Sequence, residues 1–170
     1  MKRSELMTRA KGPKYQVYFR RRREGRTNYA KRLALIKSRK TRMVVRKTNS
    51  SIIIQFVNFD FNGDKTLVTV PSTKLKKLFS WPAKRNVYTA YLTGLYAGKE
   101  AKKKNVVDFV LDVGLHQPTK GNVLFAALKG ALDAGLKTAY SEEMIPAAKL
   151  AAPPDAIKAA FEETKKKING

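Results

Sequence analysis

Two runs rich in β-branched and aromatic residues, TRMVVRKTN at 41–49 and SIIIQFVNFD at 51–60, are separated by a turn no longer than TNS. A link that short cannot hold the crossover that parallel strands need, so the two runs must pair antiparallel. FNGDK, with Gly63-Asp64 at its centre, supplies the next turn. TLVTV at 66–70 then alternates and stops at Pro71. Three strands joined by short turns predict an antiparallel meander. This feature fixes the sheet around which everything else must be arranged.

After the meander the period changes. STKLKKLFS predicts a short helix, WPAKRN a loop around Pro82, and VYTAYLTGLYAGKEAKKK (87–104) a long helix. Ala90, Gly94 and Gly98 form a small-residue stripe on that helix, which suits a close approach to the sheet. A membrane-dimer role for Gly94 and Gly98 is ruled out by Lys99 and Lys102 to Lys104. VVDFVLDVGL (106–115) predicts a buried strand, and NVLFAALKGALDAGL (122–136) a core helix closed by Gly135. Strand, helix, strand and helix after a meander imply an α/β layered domain with a mixed sheet. SEEM can cap a helical turn, AAPPD breaks the chain, and a terminal helix is expected from Asp155.

Charge divides the chain differently. Of the 36 lysines and arginines among 170 residues, 18 lie in the first 50, against two acids there, Glu5 and Glu24. The remaining 120 residues carry the other 18 and 11 acids, within a total of +23. So large an excess attracts polyanions, nucleic acid first and an anionic membrane surface second. With 43% hydrophobic residues the body can still bury a core. The expected organisation is a basic arm over 1–26, a body over 27–143, and a tail with a terminal helix over 144–170. In the arm KGPKYQVYF reads as extended, and Thr27 or Asn28 can cap a helix held to the core by Tyr29, Leu33 and Ile36.

Several function classes fall away. The chain has no cysteine and one histidine, His116, so thiol chemistry and the usual metal clusters are excluded. No apolar run approaches the roughly 18 residues of a membrane span, and MKRSELMTRAKGPKYQ lacks a signal-peptide core. A cytoplasmic protein without cofactor, membrane or small-molecule substrate is expected.

The candidate site is therefore an anion surface. Tyr15, Tyr18 and Phe19 interleave with Lys14 and with Arg20, Arg21, Arg22 and Arg23. Guanidinium forks bind phosphates bidentately, and rings stack on exposed bases. A solvated run or a localisation signal would need only the charges. Lys31, Arg32 and Lys37 extend the surface along the helix. Arg42, Arg46, Lys47, Thr48 and Asn49 extend it along the first strand and its turn, with Arg42 and Arg46 on one face. GLHQPTKGN is not a nucleotide loop, because Thr119-Lys120-Gly121 reverses the required order, but its helix start can hold one backbone phosphate.

The competing enzyme reading is a two-metal nuclease using Asp60, Asp64, Asp108 and Asp112. Asp108 and Asp112 share a strand face but stand roughly 13 Å apart, and the first strand offers arginines instead of acids. A general DNA-compacting protein is a third reading, on charge alone.

GPKYQVYFRRRREGRTNYAKRLALIKS, RMVVRKTNSSIIIQ, TAYLTGLYAGKEA, LDVGL and PTKGNVLFAALKGALDAGL, with SEE just beyond, follow one another over residues 12–143. In this order they resemble the family of large-subunit ribosomal protein eighteen, the universal 5S rRNA-binding protein, in its archaeal form. The resemblance implies a three-layer α/β/α body with a mixed sheet in a ribonuclease-H-like arrangement lacking the catalytic acids. It implies, as partners, 5S rRNA, large-subunit rRNA and neighbouring large-subunit ribosomal proteins in the central protuberance. Carried onto this chain, the arm contacts become Lys11, Lys14, Tyr15, Arg20 to Arg23, Arg26, Asn28 and Tyr29. The strand-turn contacts become Arg46 to Asn49, and the loop contacts Thr119 to Gly121. The alanine-rich stretch after Pro146 departs from the family pattern.

Overall fold

The computed structural model describes residues 12–81 and 84–169. Strands β1 (Thr41–Lys47), β2 (Ile52–Asn58) and β3 (Lys65–Pro71) form the expected antiparallel meander. Registers set Met43 opposite Phe56, Val45 opposite Ile54, and Ile54 opposite Val70. Those residues are all buried and share a face, as the period of two requires. A bulge at Phe56/Val57 breaks the alternation, which lets both residues be buried.

A fourth strand, β4 (Phe109–Asp112), adds parallel to the free edge of β1, giving the order β3-β2-β1-β4 and a mixed sheet. It is much shorter than the 106–115 expected. Val106 instead closes the preceding helix by donating to the Ala101 carbonyl, and the outer side of the strand is bridged by Lys137. Val107 and Leu115, expected in the core, are exposed.

Helices α1 (Arg20–Arg23), α2 (Tyr29–Lys37) and α3 (Thr73–Phe79) precede the long α4 (Val87–Lys103). After β4 come α5 (Val123–Asp133), a 3₁₀ turn at Glu142–Met144, α6 (Ala147–Ala151) and α7 (Asp155–Asn169). Asn28, Asn86 and Asn122 cap α2, α4 and α5 with their side-chain oxygens. At the far end of α5, Gly135 donates to the Leu132 carbonyl and Leu136 to that of Ala131, the paired bonds of a Schellman end. Helices α4 and α5 cover the face bearing Met43 and Phe56, while α2 stands as a thinner third layer over the opposite face.

The small-residue stripe of α4 meets a different partner from the one expected. Gly94 and Gly98 face α5, and α4 also touches β2 and β3. A Cβ on Gly94 would lie 2.1 Å from the Ala127 carbonyl oxygen, and one on Gly130 of α5 2.1 Å from that of Tyr91. The two helices therefore touch backbone to backbone, closer than any side chain allows.

Two attachments also differ from expectation. Tyr29 and Leu33 are 43% and 54% exposed and do not anchor α2, which has no buried residue; Leu35 and Ile36 are its half-buried contacts. Conversely, the segment read as a tail joins the core. Phe161 of α7 sits among Trp81, Tyr88 and Tyr91, with ring centroids 6.4, 5.6 and 5.6 Å away. Ile168 is buried beside it, and Lys99 donates to its carbonyl at 2.6 Å.

Gly94→Ala is expected to destabilise the protein by more than the about 1–3 kcal/mol usual for overpacking, because backbone and not a side chain must move. Urea unfolding of the two proteins measures it. An unchanged midpoint would mean the helices do not meet at Gly94.

Candidate nucleic-acid interface

The alternation of β1 that buries Met43 and Val45 sends Arg42, Val44 and Arg46 to the other face of the sheet. There Arg42 is 3% exposed and donates from Nη2 to Asp64 Oδ2 at 2.5 Å, with Nη1 3.6 Å from Asp112 Oδ2. Arg32, from α2, donates to the same Asp64 oxygen at 2.8 Å. Arg46 donates to Asp112 twice, to its backbone carbonyl at 2.7 Å and to Oδ1 at 3.0 Å. The Gly114 N–H completes that carboxylate at 2.8 Å. Gly114 has φ +62, a backbone conformation that favours glycine, and a Cβ there would lie 2.9 Å from the Arg46 guanidinium carbon, which would have to shift. Three guanidinium groups thus share two carboxylates.

Arg42 is consequently not a free RNA contact, as expected from sequence, but a buried strut. Its Nε–H has no hydrogen-bond partner, a cost the ion pairs must offset. The nuclease carboxylates are accounted for in the same way. Asp64 and Asp112 serve the arginines, Asp60 pairs with Lys65 at 2.6 Å, and Asp108 lies 3.7 Å from Lys40. Among the described residues no group of three or more metal-ligating side chains comes together.

Above this network lies a cleft of about 560 Å³. One wall comes from the arm and α2, with Arg21, Arg26, Asn28, Lys31 and Arg32, and the other from Arg46 and residues 111–116. Among the described residues its only carboxylate is the already neutralised Asp112. The arm reaches the cleft because α1 is held to α2: Arg21 Nε donates to Thr27 Oγ1 at 3.0 Å, which leaves Asn28 to cap α2 through the Lys31 N–H. Arg20 and Arg26 both pair with Glu24 at 2.8 Å, and Arg22 lies over the Tyr18 ring at 4.7 Å. The hydrogen bond from Arg20 is the main cause holding Glu24 below the usual carboxylate range. These pairs are exposed, so they are weak and exchange readily for phosphate.

The other expected residues are spread around this centre. Lys14, Arg23 and Tyr29 are exposed, and Lys11 lies outside the described residues. Thr48 spends its hydroxyl on Ser51, and Asn49 and Lys47 flank that turn. Thr119 Oγ1 accepts from Asn122, Lys120 pairs with Glu143 at 2.5 Å, and the Gly121 N–H donates to Met144. That loop is tied to the 3₁₀ turn and does not line the cleft. Sequence reasoning placed His116 in the loop after the strand and did not foresee that it lines the cleft wall. Its imidazole is held below the ordinary 6.5, first by desolvation and then by Lys47 and Arg46.

The family described as "Ribosomal large subunit proteins 60S L5, and 50S L18" matches residues 13–110 and 98–141 of the chain. A large ribosomal subunit protein uL18 of Korarchaeum cryptofilum is 50% identical over 138 residues, 81% of this chain and 70% of that protein. One of Aeropyrum pernix is 50% identical over 137 residues, 80% of this chain and 64% of that protein.

Asp112→Ala removes the carboxylate that Arg46 and Arg42 share, but Arg42 keeps Asp64 and Arg46 is 41% exposed, so the expected cost is about 1–3 kcal/mol. Denaturant unfolding reads the loss; a change under about 1 kcal/mol would show the network carries no strain of charge. His116 is expected to titrate below 6.5 by NMR, and Lys47→Ala to raise the midpoint. Because a depressed folded value favours proton uptake on unfolding, stability falls as pH drops from 6.5 toward the folded value. A midpoint at or above 6.5 would contradict the cationic wall.

Proposed function

The chain belongs to the family of large-subunit ribosomal proteins 60S L5 and 50S L18, and from that premise we propose that it binds 5S rRNA and helps attach it to the large-subunit rRNA in the central protuberance. Within the large ribosomal subunit its role is structural and not catalytic. The observation that supports this reading is the cleft in which Arg21, Arg26, Lys31, Arg32 and Arg46 converge from three separate segments. Five cations around one opening match a backbone phosphate track, since each additional phosphate neutralised releases further counterions.

The division of labour follows from geometry. The arm and α2 neutralise phosphates, Tyr15, Tyr18 and Phe19 offer rings to unpaired bases, and the α/β body holds these groups at one edge. Phe19 is 84% exposed and its ring is open to stacking, while Tyr18, half exposed, has Arg22 over one face and offers the other. Lys14, Arg20, Arg22, Arg23, Lys47 and Asn49 continue the basic surface away from the cleft. Lys120, 71% exposed on its side chain, can trade Glu143 for a phosphate. Neighbouring ribosomal proteins complete the set of partners.

Affinity for 5S rRNA is expected to fall steeply with salt, with about 6–10 phosphates neutralised. Replacing Arg20 to Arg23 with alanine should lower the slope of log affinity against log salt by about three to four. Filter binding across a salt series measures both. A nearly flat slope for the unaltered protein, or an unchanged slope in the variant, would sink the assignment.

A further inference from the structure

The hairpin between β2 and β3 carries a feature that the arginine arm does not explain. Its turn is built by Asp60, Asn62 and Gly63: the Gly63 N–H donates to the Asp60 carbonyl at 3.1 Å, and Asp60 is clamped by Lys65. Phe61 occupies the tip, where a turn accepts almost any residue, and is 96% exposed. Phe59, 45% exposed, meets it edge to face with centroids 5.4 Å apart. Neither ring belongs to the core or packs against it. A cleft of about 670 Å³ opens beside them, and Lys37, Arg39, Lys40 and Arg42 line it with no carboxylate among the described residues.

We propose that Phe59 and Phe61, with Lys37 and Arg39, form a second RNA site that stacks unpaired nucleobases and holds their phosphates. Charge selects the occupant. The cleft's lining is wholly cationic among its charged residues, and Asp60 and Asp64 beside it are already neutralised by Lys65 and by Arg32 and Arg42. An apolar protein partner would have to desolvate these cations, whereas a single strand supplies both π faces and phosphates. The two clefts share no lining residue: Ile36 and Lys37 near the end of α2 line this one, and Lys31 and Arg32 nearer its start line the arm cleft. One RNA can therefore engage both without competition, or two segments can be held at once. The inference shares with the proposed function only the class of partner.

The test uses the full chain and two probes, 5S rRNA and a single-stranded oligoadenylate. Base stacking on one ring is worth about 1–3 kcal/mol, so Phe61→Ala should weaken oligoadenylate binding about five- to 150-fold at unchanged salt slope. Lys37→Ala combined with Arg39→Ala should lower the slope for oligoadenylate by about 1.4. In Phe61→Trp, the new indole's fluorescence should be quenched on binding, while Trp81, 2% exposed, reports an intact fold. Phe61→Leu keeps apolar area but no ring, so full binding by that variant would overturn stacking in favour of apolar docking. Equal affinities for Phe61→Ala and the unaltered protein on both probes would also overturn the site, while leaving the 5S reading intact. Phe61-dependent oligoadenylate binding by a protein that ignores 5S rRNA would do the reverse.

Discussion

Asp64 and Asp112 each hold two arginines, and the placement of the basic surface depends on that sharing. Through Asp64 the turn after β2 is joined to β1 and to α2; through Asp112 the end of β4 is joined to β1 twice. Such a network is weak evidence for net stability, since desolvating five charged groups costs nearly what their attraction returns. Its consequence is positional. With α2 lacking any buried residue, the Arg32–Asp64 bond and the half-buried Leu35 and Ile36 are what keep the helix over the sheet. The arm follows α2, so the cleft's shape descends from two carboxylates.

The same network engages the carboxylates that a two-metal nuclease reading of the sheet would need. Carboxylates that hold metal must gather with free oxygens toward one ion. Here the two nearest the sheet centre point their oxygens at guanidinium groups already in the fold. Three positive groups against two negative ones leave the face cationic, in keeping with a polyanionic partner.

The opposite face is governed mainly by close apolar packing. Gly94 and Gly130 let α4 and α5 touch through their backbones, and the helices then cover the meander as one slab. Phe161 extends that slab by bringing α7 onto Trp81, Tyr88 and Tyr91. A rigid apolar layer on one side frees the other side to carry charges that a conventional core would not tolerate.

Much of this was legible in the order of residues. The meander, the helix boundaries near Asn86 and Gly135, the shared face of Arg42 and Arg46 and the concentration of charge in the first 50 positions follow from local rules of period, capping and composition. What those rules could not reach were partners distant in the chain. Nothing near Arg42 announces Asp64 and Asp112, so a buried strut and a free phosphate contact look alike in sequence. The glycine stripe declared that something approaches closely, but not that it is α5 and not the sheet. An alanine-rich end gave no sign that Phe161 has three aromatic neighbours waiting. Local propensity determined which elements form and which faces are charged; only the tertiary fold decided which charges are spent on one another. Pairing depends on distances between residues up to 70 positions apart, and no local pattern encodes them.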